Sequence, residues 1–209
     1  MNKEVRITRE IYEDISKLDL SSLKKISKKR SVTTTEFKAA VKDWFGQKIP
    51  WPLVEPDLIL VFEDYRNIID DVMIAAIEIK YFEQGEDLDK RMRQSFRELG
   101  QPLRNLVFGF DSAVLWHIFS TDIEEQKIDS YINIVEEVIQ RLKLPIVYLA
   151  TAIPYEEFKI HKPFKLDKYD LGSLVGWIMN LCADCRNPVA DGEVKIRRSG
   201  LKMALRIPT

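Results

Sequence analysis

Apolar residues follow two kinds of spacing along this chain. Residues 58–62 (LILVF) and 72–81 (VMIAAIEIKY) are nearly unbroken runs rich in β-branched and aromatic side chains, which predicts strands. Residues 113–119 (AVLWHIF) and 145–150 (PIVYLA) read the same way. Elsewhere the spacing is helical. Phe37, Ala40, Val41, Trp44 and Phe45 repeat after a capping box of Thr33 and Glu36, with Gly46 as a stop. Leu88, Met92, Phe96, Leu99 and Leu103 share one face of a helix over about 87–105. Thr121 and Glu124 open another, with Ile128, Ile132, Val135, Ile139 and Leu142 inside it. Residues 9–29 are expected to form a helix or two, and residues 170–182 a further one. Two prolines in 48–54 (KIPWPLV) confine any strand there to an edge. This order of elements predicts an α/β fold with a mixed β-sheet flanked by helices.

The stretch 55–82 raises a chemical question. If 58–62 and 72–79 form a hairpin turning at Asn67 and Ile68, residues whose numbers sum to 135 face each other, and Asp57 lies opposite Glu78. Strand alternation puts Lys80 on the same face as Glu78. Two opposed carboxylates destabilise a hairpin unless a positive charge lies between them. Mg²⁺, a hard cation held by one or two carboxylates, suits such a place, with Mn²⁺ as a substitute.

Pro56-Asp57 and Glu78-Ile79-Lys80, with a helix before and after, resemble the PD-(D/E)XK nuclease superfamily. In pattern they are most similar to the archaeal Holliday-junction resolvases. Glu-x-Lys occurs five times in the chain, but only the copy at 78–80 ends an apolar run and follows the only Pro-Asp. The resemblance implies a restriction-endonuclease-like core and cleavage of phosphodiester bonds in DNA, including branched DNA. It implies Asp57, Glu78 and the Ile79 carbonyl as metal ligands and Lys80 as the group acting on water and developing charge. It implies a further catalytic glutamate in the first helix, for which Glu36 is the matching position. Gln94 is a candidate for the glutamine some relatives carry after Glu-x-Lys. The resolvase pattern also implies a homodimer, so that two sites can meet two strands. The expected division is a basic helical segment (1–32), the nuclease-like core (33–150) and a C-terminal appendage (151–209).

Charge adds a second line of argument. Acids outnumber bases eleven to three in residues 55–90, whereas residues 24–30 and 195–206 each hold five bases and no acid. An acidic centre between basic stretches suits a metal site that handles a polyanion. Lys24, Lys25, Lys28, Lys29, Arg197 and Lys202 are the candidate DNA contacts. Ser199-Gly200 predicts the turn of a C-terminal hairpin, with Ile196 against Met203 and Arg197 against Lys202. An alternative is a non-catalytic DNA-binding protein that uses basic N-terminal helices, residues 20–44 being a conceivable helix-turn-helix. A third is an interaction protein on a degenerate nuclease fold. Two cysteines, Cys182 and Cys185, make no disulfide framework and have no second pair for zinc. With no apolar run long enough to span a bilayer and no signal-peptide core, an intracellular, cytoplasmic protein is expected, in the host cytoplasm if viral. Twenty-three isoleucines against twelve Asn and Gln fit a thermophilic archaeon or its virus.

Overall fold

The computed structural model describes residues 3–28, 31–32, 34–40, 54–64, 72–153, 158–162, 165–188 and 192–207. Its strands are β1 (Leu23–Lys28), β2 (Leu58–Glu63), β3 (Val72–Phe82), β4 (Ser112–Ser120), β5 (Val147–Ile153), β6 (Phe158–Lys162) and β7 (Lys165–Tyr169). They form one mixed sheet in sequence order. β3, β4 and β5 run parallel, and the remaining neighbours pair antiparallel. The helices are α1 (Lys3–Ile15), α2 (Thr35–Ala40), α3 (Leu88–Ser95), α4 (Gly100–Val107), α5 (Glu125–Arg141), α6 (Leu171–Asp184) and α7 (Gly192–Leu205). A 3₁₀ segment, Phe96–Leu99, joins α3 to α4. The expected α/β architecture with a mixed sheet is therefore observed.

The central hairpin has the expected register. Leu58 opposes Ile77, Ile59 opposes Ala76 and Glu63 opposes Val72. The turn at Asn67 and Ile68 lies outside the described residues. Alternation splits the hairpin between two cores. Leu58, Leu60, Phe62, Ala75, Ile77 and Ile79 face α1 and α6. Ile59, Val61, Ile74 and Ala76 face the opposite side, with Phe37 of α2 and Leu201 and Leu205 of α7. Further along that second side, Phe82 and Phe119 pack with Leu88 and Met92 of α3 and Ile128 and Tyr131 of α5. Parallel strands need crossovers, and α3, α4 and α5 supply them.

Several expectations are corrected. Residues 23–28 are a strand, not a helix, so the N-terminal segment is not wholly helical and a helix-turn-helix over 20–44 is excluded. The cause of the misreading is a register shift between Leu23 and Lys25. The extra residue, Lys24, lets Leu23 and Ile26 both face the α1 core although they are three apart, a spacing that mimics a helix. Residues 192–205 are a helix, not a hairpin. Arg197, Leu201, Ala204 and Leu205 are buried at helical spacing, while Ile196 and Met203, the residues that suggested alternation, are exposed. α2 is capped by Thr34, whose Oγ1 accepts from the Phe37 amide at 3.3 Å, so Glu36 is not the third residue of a capping box; residues 41–45 lie outside the described residues. α5 begins at Glu125 after Glu124, one turn later than Thr121 suggested. The hairpin of β6 and β7 was not anticipated.

The carboxyl end of α4 is fixed by a closing motif in which Phe110 N donates to Asn105 O at 3.3 Å and Gly109 N to Leu106 O at 3.1 Å. This needs a left-handed residue, and Gly109 has φ +94°. A Cβ there would also lie 2.8 Å from the Arg198 amide of α7. Gly109→Ala is therefore expected to destabilise the fold by about 2 kcal/mol or more, measured by urea unfolding. Gly100→Ala, where an added Cβ meets nothing within 4 Å, is expected to be neutral or stabilising by about 0.5–1 kcal/mol. Equal effects of the two would contradict this role of the α4 terminus.

Candidate metal and phosphate site

Pro56 has no amide hydrogen, so it cannot extend the ladder of β2, which starts two residues later. β3 runs on past it to Phe82. Glu78, Ile79 and Lys80 are thus inside β3 rather than at its end, and beyond Leu58 they keep a ladder neighbour only in β4. The Ile79 amide, left without a β2 carbonyl, donates to Asp57 Oδ2 at 2.9 Å. A strand residue sends its N–H and C=O to the same side, so the Ile79 carbonyl faces the Asp57 side as well. The Ile79 side chain is in the α1 core. Extending the observed register by one step sets Asp57 against Glu78, as the sequence suggested.

Other elements complete the surroundings. Glu78 is buried, and its Oε1 accepts from Asn105 Nδ2 of α4 at 2.8 Å. Lys80 Nζ lies 3.4 Å from Glu98 Oε2 of the 3₁₀ segment. Glu4, in the first turn of α1, takes a hydrogen bond from the Tyr81 amide. Burial pulls the Lys80 ammonium down, but Glu4, Glu98, Asp57 and Glu78 together hold it above its ordinary range. Lys80 stays charged, which suits an electrostatic and hydrogen-bonding group rather than a base. Burial raises Glu78 to about 7, against the Asn105 hydrogen bond and helped by Asp57, while Lys80 and Arg104 pull it down. Burial raises Glu4 too.

These groups fit a divalent cation. When all are ionised, four carboxylates against the two cations Lys80 and Arg104 leave an excess of two negative charges, which Glu78 and Glu4, both raised by burial, lessen without metal by holding protons. Asp57, Glu78 and a backbone carbonyl are hard oxygen donors of the kind Mg²⁺ takes beside water and phosphate. Among the described residues no group of three or more His, Cys, Asp and Glu side chains is close enough to hold a metal, so the place offers a carboxylate pair rather than a closed cage.

The remaining candidates fall elsewhere. The first helix of the fold is α1, and the glutamate it brings to the site is Glu4; Glu36 is in the second helix. Gln94 is exposed on α3, whereas Gln101, on α4, has its Oε1 buried. Lys24 pairs with Glu63, Lys25 Nζ donates to the last carbonyls of α7 at Leu205 O, 2.5 Å away, and Lys28 lies 5.1 Å from the centre of the Tyr12 ring. Lys29 is outside the described residues. Arg197 is buried and donates to Val107 O at 2.7 Å, and Lys202 is on the same helix. Lys24, Lys25, Lys28 and Arg197 thus each have a contact within the chain. His117, beside Lys80 in the ladder, is buried, bonded through Nδ1 to the Tyr148 hydroxyl at 3.0 Å, and pushed down to about 3 by burial and by Lys80. Burial thus favours its neutral form. Cys182 and Cys185 are free thiols, with Cys182 buried and raised to about 12.

Glu4, Glu98, Arg104 and Asn105 were missed in the sequence. Only Asn105 left a signal, as a polar residue between the buried Pro102 and Leu106 of an amphipathic helix. No known family model matches the chain, and no curated protein matches it. No described helix is long and apolar enough to cross a membrane.

Without metal, folded Glu78 binds its proton more tightly than an unfolded glutamate of pKa 4.5. Stability from its neutral form is then full below about pH 4.5 and is lost as pH rises through about 7. Glu78→Gln removes that loss. Metal-free Glu78→Gln is expected to exceed wild type by up to about 3 kcal/mol above pH ~8 and to match it below pH ~4, measured by urea unfolding across pH. A constant difference between the two proteins would contradict a strained, buried carboxylate.

Proposed function

We propose that the chain is a Mg²⁺-dependent nuclease of the PD-(D/E)XK type, hydrolysing phosphodiester bonds in DNA. The observation that supports it most is the convergence of Asp57, Glu78 and Lys80 beside the start of β2, where β3 continues past it. The order of elements supports it as well: a helix carrying a glutamate, a strand, a second helix, the strand that follows Asp57, the Glu78-Ile79-Lys80 strand, then a helix. Glu4 takes the place of the first-helix glutamate that the resolvase-like pattern calls for. Branched DNA as substrate, and two copies of the chain to present two sites, extend the same proposal.

Each residue has a distinct task in this reading. Asp57, fixed by the Ile79 amide, and Glu78, fixed by Asn105, would hold the cation together with the Ile79 carbonyl. When bound, Mg²⁺ supplies Lewis-acid polarisation of the phosphodiester and a lowered pKa for water. Lys80, kept protonated by its four carboxylate neighbours, donates hydrogen bonds to the attacking water and to phosphate oxygen as charge builds there. Glu98 and Glu4 hold the ammonium in place. Burial of Glu78 limits solvent at the site, which strengthens each of these interactions.

The test is cleavage of branched and linear DNA in Mg²⁺ or Mn²⁺, with calorimetric metal titration alongside. Asp57→Ala is expected to lose both metal binding and cleavage. Lys80→Ala is expected to keep metal binding within a few-fold and to lose roughly 10²–10³ in rate. Wild-type protein that binds no divalent metal, or Asp57→Ala protein that cuts like wild type, would overturn the assignment.

A further inference from the structure

Three side-chain atoms of α4 are buried without a hydrogen-bond partner among the described residues: Gln101 Oε1, Arg104 Nε and Asn105 Oδ1. Their spacing of three and four puts these residues on one face of the helix. That face meets the carboxylate pair, because Asn105 is wholly buried and donates to Glu78, and the charge of Arg104 acts on Glu78. Other arginines at comparable depth have their acceptors. Arg91 has Tyr81 O, Arg198 has Asp111 and Val72 O, and Arg197, although its Nε is buried like that of Arg104, has Val107 O through Nη1. A guanidinium cannot escape desolvation by releasing its proton, as a lysine can. An N–H of Arg104 removed from water therefore calls for an acceptor, and the positive charge it cannot shed favours an anionic one.

We infer that Arg104 is the seat of a substrate phosphate, beside the carboxylates that take the cation. The anion site rests on Arg104 and α4; its identity as a nucleic-acid phosphodiester rests on the nuclease reading. The planar fork of a guanidinium matches two phosphate oxygens. Gln101 can assist, since turning its amide presents Nε2 in place of Oε1, and a phosphodiester oxygen only accepts. Asn105 cannot do the same, because its NH₂ is committed to Glu78. The carboxylates gathered around Lys80 would repel an anion arriving alone. Phosphate binding at Arg104 is thus coupled to the divalent cation.

The experiment is titration of a short single-stranded oligothymidylate into full-length protein in Ca²⁺, across a range of salt, by fluorescence anisotropy. Wild type is expected to bind far more tightly with Ca²⁺ than without. Arg104→Gln is expected to weaken binding in Ca²⁺ roughly 10- to 100-fold and to reduce the slope of log K against log salt by about 0.7. Its affinity for Ca²⁺ alone should stay within a few-fold of wild type. Arg104→Lys is expected to keep the salt slope and recover only part of the affinity. Arg104→Gln that binds like wild type overturns the proposal; if that variant does not fold, unchanged affinity in Arg104→Lys does so. Arg104-dependent binding without any cleavage in Mg²⁺ upholds the anion site and sinks the nuclease reading. Cleavage with Arg104-independent binding does the reverse.

Discussion

The antiparallel register of β2 and β3 forces Asp57 against Glu78, and the surrounding chain is arranged about that repulsion. Register cannot relax to relieve it. A slip of one residue would turn Leu58, Leu60 and Phe62 away from the α1 core and expose apolar area on both faces. The carboxylates are thus held together by burial that neither provides. Pro56 ends the ladder beside them, the Ile79 amide and Asn105 each take one carboxylate oxygen, and Lys80 supplies one positive charge. What remains is net negative charge, which a divalent cation would offset.

The position of α4 matters as much as the strands. Asn105 reaches Glu78 because the helix stops at Val107, and it stops there because Gly109 can take a left-handed conformation against the backbone of α7. The carbonyl of Asn105 is part of that closing motif while its side chain serves the site. One residue therefore links the packing of α7 on the second core to the orientation of a proposed metal ligand. Arg104, one position earlier, shares the constraint.

How much of this could be read from the chain follows from the range of each interaction. The hairpin register was legible because two long apolar runs and strand periodicity leave one pairing that buries both. Asp57, Glu78 and Lys80 follow from it by counting. β1 was not legible, because the bulge at Lys24 shifts Leu23 and Ile26 onto one face at a spacing that imitates a helix. α7 was misread because Ile196 and Met203 alternate with polar residues, whereas its buried face is carried by Leu201, Ala204 and Leu205. Glu4 is more than seventy residues from Lys80 and meets it only through the stacking of α1 on the sheet, which no local pattern encodes. The basic stretches suggest DNA contacts by composition, and four of their residues, Lys25, Lys24, Lys28 and Arg197, also meet a helix terminus, a carboxylate, an aromatic ring and a carbonyl of the same chain. Charge counting cannot tell such internal uses from a surface patch.

The central claim is that the Asp57–Glu78 pair is a cation site. The most direct measurement is anomalous X-ray scattering at the manganese edge from crystals of the protein soaked in Mn²⁺. The account expects one strong peak within about 2.0–2.3 Å of oxygens from both Asp57 and Glu78, with the Ile79 carbonyl beside it. Crystals that show manganese elsewhere, with Asp57 still bonded to the Ile79 amide and no peak between the two carboxylates, would contradict it.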